Sequence, residues 1–201
     1  MKTIVLCLAG SLWAAFQIHA ASPDEWAAVA PREEIRPRFQ HAETGGKSGH
    51  GAFAIRADER EGLHGWWQRT LPVTAGQHYR FSAWRRAENV AVPRRRVLAR
   101  VVWLDDAGKD VPRREGVLTN YAKNVIATAE PEYPRDLSGN NDSWVEVSGV
   151  YQAPPGATQA RVELHLLWAP NATVEWSDVG FLPIEAPTPR NVRLASVHYR
   201  P

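Results

Sequence analysis

The sequence predicts an all-β protein, a two-sheet antiparallel jelly-roll sandwich, and three observations carry that prediction. Apolar and polar residues alternate with period two in segment after segment beyond residue 50. Turns containing Gly, Pro or Asn separate those segments. No stretch beyond residue 20 sustains the 3.6-residue apolar repeat of a helix. Many half-buried strands joined by such turns stack as two facing sheets around one core.

The first element is a leader. Lys2 gives a short positive start, Ile4 to Phe16 is an apolar run broken only by Gly10 and Ser11, and Ile18-His19-Ala20 offers a cleavage site before Ala21. Charge, apolar stretch and small residue in that order make a secretory signal peptide over residues 1–20. The run is too short for a membrane span, which needs about 20 residues, and nothing later in the chain reads as one. Cys7 sits too early, and behind too large a residue in Leu6, for a lipoprotein anchor. The expected location is therefore exported, periplasmic or extracellular. Cleavage removes Cys7, the only cysteine, so the mature chain has no disulfide, thiolate nucleophile or thiolate metal site. The remaining core-forming stretch, about 165 residues, is long enough for one self-sufficient domain.

The strands follow. Phe53 and Ile55 share a face in Gly51 to Ala57, and Trp67, Leu71 and Val73 share one in Leu63 to Val73. Tyr79, Phe81 and Ala83 alternate with Arg80, Ser82 and Trp84. Val97, Ala99, Val101 and Trp103 alternate with Leu98, Arg100 and Val102. Val145 and Val147 follow Trp144, and Val162, Leu164, Leu166 and Trp168 alternate with Arg161, Glu163 and His165. Phe53, Tyr79, Phe81, Val101, Leu164 and Trp176 are the predicted interior, and Trp103 and Trp168 are also read as core. The last strand changes parity between Val174/Trp176 and Val179/Phe181, so a bulge at Ser177-Asp178 is expected to keep all four facing inward. Residues 108–143 are too long for a hairpin loop and read as an ordered excursion around Tyr121 and Val125-Ile126.

Charge excludes little. The net charge is +2, but 20 Arg stand against 4 Lys. That excess reflects either compositional bias or an anionic ligand, since Arg grips carboxylates and phosphates with two parallel hydrogen bonds. The run Pro93-Arg94-Arg95-Arg96 reads as a solvated loop, and no nucleic-acid partner is expected.

With the strands in order, Leu71-Pro-Val-Thr-Ala-Gly-Gln-His-Tyr-Arg-Phe-Ser-Ala-Trp84 resembles the strand-turn-strand signature of galactose-binding-like jelly rolls. Trp144-Val-Glu-Val-Ser, Tyr151-Gln-Ala-Pro-Pro-Gly, Ala160-Arg-Val-Glu-Leu and Val174-Glu-Trp-Ser-Asp-Val179 resemble it too, over roughly residues 24–186. Many such domains are carbohydrate-binding modules appended to secreted enzymes. The resemblance implies a non-catalytic module over residues 21–186 whose partner is a glycan. Residues 187–190 then read as a stiff linker. Residues 191–201, Asn191-Val-Arg-Leu-Ala-Ser-Val-His-Tyr-Arg-Pro201, look like the first strand of a following carbon–nitrogen hydrolase (nitrilase-type) domain. None of that family's Glu, Lys and Cys motifs is present, so this chain is not expected to be an enzyme, whatever a parent protein does. An ordinary C-terminal tail or edge strand is the alternative for residues 191–201.

The candidate sites come from the outward parity. If the strands carrying Trp84 and Arg86, Arg100, and Glu163 and His165 share one sheet, they form a face with the chemistry of a sugar site. A ring stacks on the apolar side of a pyranose, and fixed polar groups bond its hydroxyls. Trp66 is a second outward aromatic, unless Trp66 and Trp67 exchange roles through a one-residue slip. The alternative for the same face is contact with a neighbouring domain or a second subunit, making the domain a structural or homo-oligomer-building element. The resemblance also implies one structural calcium with Asp178 as ligand, possible partners being backbone carbonyls of the bulge and Glu33 or Glu34. A metal-free Asp bonded to loop amides is the competing reading. Several motifs mislead. Gly46-Lys47-Ser48 lacks the first glycine of a phosphate loop, the histidines show no paired zinc spacing, and no Ser sits in a nucleophile elbow. Asn141-Asp142-Ser143 and Asn171-Ala172-Thr173 are glycan acceptors only in a host that glycosylates them.

Overall fold

Ten strands pair into two antiparallel sheets in the computed structural model, which describes residues 26–113, 128–137 and 143–189. The four-stranded sheet runs in the order β1 (Ala27–Val29), β4 (His64–Pro72), β9 (Gln159–Leu167), β6 (Ala99–Leu104). The six-stranded sheet runs β2 (Arg38–Ala42), β3 (Ala52–Arg56), β10 (Thr173–Ile184), β5 (His78–Glu88), β8 (Val145–Gln152), β7 (Arg135–Asp136). Helix is confined, among the described residues, to a 3-10 turn at Glu33–Ile35 and a single turn, α1, at Pro93–Arg96. The arginine run expected as a loop is that turn, opened by Pro93 and left unburied. No helix among the described residues is long and apolar enough to cross a membrane. The leader, Cys7, Tyr121, Val125-Ile126, Asn141-Asp142 and residues 190–201 lie outside the described residues.

The predicted interior is the observed one. Phe53, Tyr79, Phe81, Val101, Leu164 and Trp176 are all buried, the last four completely. Two aromatic clusters hold the sheets together. Trp26, Phe39, Phe53 and Trp67 pack at one end, and Tyr79, Trp103 and Phe181 at the other, with Tyr79 stacked on Phe181 at 5.1 Å. Each buried aromatic stabilises the sandwich by about 2 kcal/mol or more through removal of apolar area from water. Trp67 is the inward member of its pair, its indole N–H donating to the Ala54 carbonyl at 3.1 Å.

The bulge lies where the parity break places it. The pairing of β10 with β5 slips between Ser177 and Gly180, and Asp178 has φ +51. Val174 and Trp176 are buried before the slip, and Val179 and Phe181 pack on the core after it. The loop 43–51 closes over this bulge. The Lys47 amide donates to Ser177 Oγ at 3.0 Å, and Ser177 Oγ donates to the Gly51 carbonyl at 3.1 Å. Gly46 has φ +73, and a Cβ there would sit 2.2 Å from the Gly51 oxygen, so only glycine fits.

The described residues 128–137 of the predicted excursion pair with both sheets. Glu132 exchanges backbone hydrogen bonds with Val101 on the free edge of β6, at 2.8 and 3.0 Å. Arg135 and Asp136 then pair with β8 in the opposite sheet. The segment thus covers the β6 edge, whose backbone groups would otherwise be left unpaired. Arg85, on the inward parity of β5 and 3% exposed, ties it down. Its guanidinium donates to the Val97 carbonyl and to Asp136, both at 2.9 Å.

Candidate functional site

Four of the six predicted ligand residues come together on the outer face of the four-stranded sheet. Antiparallel register places Trp66 of β4 opposite His165 of β9, and Glu163 of β9 between Gln68 of β4 and Arg100 of β6. The next row is Thr70, Arg161 and Val102. Cross-strand neighbours on one face lie close enough for direct contact, and here they form one network.

Glu163 is its centre. It is only 1% exposed, although its parity predicts an open position. Arg100 Nε donates to Oε2 at 2.6 Å, Arg161 Nε donates to Oε1 at 2.7 Å, and His165 Nε2 lies 2.9 Å from Oε2. Burial alone would raise the carboxyl's pKa, but the hydrogen bonds from His165 and Arg161 and the Arg100 charge outweigh it and hold it at about 2. An ionised carboxylate only accepts, so His165 carries its proton on Nε2. Burial keeps His165 below the ordinary histidine range against the pull of Glu163. The neutral ring then has Nδ1 free to accept from His64 Nε2, 3.3 Å away. His64 is pushed down to about 4, first by burial and then by the repulsion that a second proton on this pair would meet from His165 and Arg100.

Aromatic rings roof this network. Trp66 stacks on His165 at 5.0 Å and donates its indole N–H to Gln68 at 3.0 Å. His64 lies 5.3 Å from Trp66 and 6.2 Å from Trp168. Trp168 corrects the core assignment made from its parity: it is 53% exposed. It follows the last residue of β9 and has φ +49, which swings its side chain off the strand alternation. A bulky residue in the left-handed region is uncommon and costs about 1–3 kcal/mol. Its amide bond to the Leu63 carbonyl, 2.8 Å, fixes it there, and the Arg96 guanidinium lies over its ring at 5.9 Å. His64 and Trp168 were missed by sequence reasoning. Their signal lies in backbone geometry and in a histidine pairing across strands, neither of which alternation reports.

Trp84 and Arg86 do not join this face. The supposition that β5 shares a sheet with β6 and β9 is overturned: β5 pairs with β10 and β8 in the six-stranded sheet. The chain crosses between sheets through α1, so equal outward parity puts these residues on opposite sides of the sandwich. There Lys47 lies over the Trp84 ring at 4.7 Å, Arg86 pairs with Glu175, and the Arg86 guanidinium rests on Trp144 at 4.9 Å. Asp178 is beside them. Its Oδ1 accepts from the Ser48 hydroxyl, and its Oδ2 lies 3.2 Å from Ser177 Oγ. Among the described residues no group of three or more His, Cys, Asp or Glu is arranged so that it could hold a metal ion. A calcium ion at Asp178 would have one side-chain carboxylate and would depend on bulge carbonyls for the rest of the six to eight oxygens it needs.

Clefts among the described residues lie elsewhere, two of them along β8. One of about 640 Å³ opens between β6 and β8, beside Trp103, Glu132 and Tyr151. Burial raises Glu132 and lifts Tyr151 to about 12. The other, about 900 Å³, follows β8 past Arg80, Tyr133 and Glu146. Neither contains a predicted ligand residue.

No family model and no curated protein matches the chain. Solved structures do. The enzymatically active domain of tailspike protein 4 from bacteriophage CBA120 superposes with a TM-score of 0.56 at 14% identity, over 80% of this chain and 20% of that one. The CBM22-1–GH10 modules of Clostridium thermocellum endo-1,4-beta-D-xylanase 10B, complexed with xylohexaose, superpose with a TM-score of 0.51 at 14% identity, over 85% and 28%. The fold is a two-sheet antiparallel jelly roll. The chain spans a fifth of the tailspike domain and just over a quarter of the xylanase chain. At these identities the likeness is one of fold, and the chemistry of this jelly roll rests on its own residues.

Proposed function

We propose that this jelly roll is a non-catalytic carbohydrate-binding module, and that its ligand lies on the outer face of the four-stranded sheet. One observation carries the reading. The rings of Trp168, His64 and Trp66 succeed one another at 6.2 and 5.3 Å beside a polar network fixed in advance by a buried carboxylate. Rings stack on the apolar faces of sugars, and pre-oriented donors bond their hydroxyls without a further ordering cost. Trp168 held exposed at positive φ agrees with a ligand-contacting role. Solved relatives in fold include a carbohydrate-binding xylanase module, which agrees with the reading without identifying a ligand. Export through the 1–20 leader and attachment to a carbon–nitrogen hydrolase domain through residues 191–201 belong to the same proposal and rest on sequence alone.

The test is a glycan-panel titration followed by intrinsic tryptophan fluorescence, with Trp168→Ala and Trp66→Ala beside the wild type. Saturable quenching that weakens about tenfold or more in either variant is expected, a loss in line with an aromatic contact. A panel without any binder, together with self-association of the wild type that Trp168→Ala abolishes, would favour the oligomer-building alternative.

A further inference from the structure

Resting on the glycan reading, the charge and donor pattern of this face says more about its ligand. We propose that the ligand is an acidic glycan, bound with the carboxylate of a uronic acid residue against Arg100 and Arg161. Along β4, β9 and β6 the outward positions hold two guanidinium groups and one carboxylate, Glu163, with both histidines neutral. Glu163 cannot itself meet a ligand, since it is 1% exposed and both its oxygens are engaged. Arg100 and Arg161 remain accessible, with side chains 30% and 28% exposed.

The two arginines are held by their inner edges. Arg100 uses Nε and Nη2 on Glu163, and Arg161 uses Nε. No acceptor among the described residues meets Nη1 of Arg100 or either terminal nitrogen of Arg161. What the pair offers outward is therefore donors only. A sugar hydroxyl both donates and accepts and finds half a match there, whereas a carboxylate accepts only and binds guanidinium through two parallel bonds. Glu163 sets the arginines' orientation and leaves one positive charge over, to which Arg96 beside Trp168 adds another.

Spacing supports the same ligand. Successive outward rows along a strand lie about 7 Å apart. Trp66 occupies one row, Arg100 the next and Arg161 the one after. A sugar stacked on Trp66 can extend its exocyclic carboxylate, or that of the adjoining residue, onto the arginine rows. Codon-driven composition explains many arginines; it does not explain two placed around one buried carboxylate.

The experiment is calorimetric titration of the wild type, Arg161→Gln and Arg161→Lys with a polyuronate oligosaccharide and with its methyl-esterified form. Melting curves verify that each variant is folded. The proposal expects the free acid to bind the wild type at least about tenfold more tightly than the ester, and to weaken as salt rises from about 50 to about 500 mM. Arg161→Gln should erase that preference, and Arg161→Lys should keep only part of it because it loses the paired geometry. Equal binding of acid and ester overturns the acidic-ligand inference and leaves the glycan reading standing. So does binding of a neutral glycan alone. Absence of any glycan binding removes both.

Discussion

The two outer faces of this jelly roll follow the same alternation rule and end up chemically different. On the four-stranded sheet, the outward residues of β9 are buried by their own neighbours: Trp66 covers His165, and Arg100 and Arg161 flank Glu163. On the six-stranded sheet, a separate loop supplies the cover, Lys47 lying over Trp84, and Arg86 and Glu175 form a partly exposed pair with side chains 37% and 23% accessible. The first face is a network organised around one desolvated charge; the second is a set of local contacts. Parity tells which side of a sheet a residue takes, but burial on that side depends on what stands above it.

The largest expected effect separates the faces by stability. Glu163→Gln removes the carboxylate that compensates two arginines and orients His165. It should cost about 2–3 kcal/mol, below the 3–5 of a fully buried broken pair because the arginines are partly exposed. Glu175→Gln on the other face should cost about 1 kcal/mol or less. Denaturant melts of the two variants make the comparison, and equal losses would erase the distinction drawn between the faces.

That distinction shows how much was legible beforehand. Strand identity, the interior set and the bulge follow from alternation and its single break, because burial of one face fixes register. The convergence of Trp66, Arg100, Glu163 and His165 was legible as parity plus residue type. The placement of Trp84 and Arg86 was not, because alternation says nothing about which sheet a strand joins; β5 pairs with β10, distant in sequence. Trp168 was misread because one residue at positive φ ends the alternation. His64 was passed over because its partner, His165, is over a hundred residues away and no local spacing pairs them.

The next effect is pH dependence. His64, with its pKa lowered from 6.5 to about 4, binds a proton more readily in the unfolded chain, so stability falls as pH drops from 6.5 towards 4. Glu163, lowered from 4.5 to about 2, contributes stability that is present above pH 4.5 and lost as pH falls towards 2. Both act in the same direction, so melting temperature should decline on acidification in two successive windows. His165, also held below the ordinary histidine range, adds to the same loss, so His64→Gln should shrink the upper window without abolishing it and leave the lower one. An unchanged profile in that variant would mean that the His64–His165 contact carries no proton linkage.

A smaller effect belongs to the six-stranded face. If calcium joins Asp178 in the β10 bulge, EDTA should lower the melting temperature by a few degrees, and Asp178→Ala should abolish that sensitivity. Identical melting with and without chelator would leave Asp178 as a hydroxyl-bonded bulge residue, held by Ser48.

The central claim is that ligand is bound on the four-stranded face and not on the six-stranded one. The most direct measurement compares Trp168→Ala and Trp84→Ala, both verified as folded, in calorimetric titration with the tightest glycan of the panel. Trp168→Ala should weaken binding about tenfold or more, and Trp84→Ala should leave it within about twofold of the wild type. Loss of binding in Trp84→Ala with wild-type affinity in Trp168→Ala would place the site on the opposite face and contradict the account.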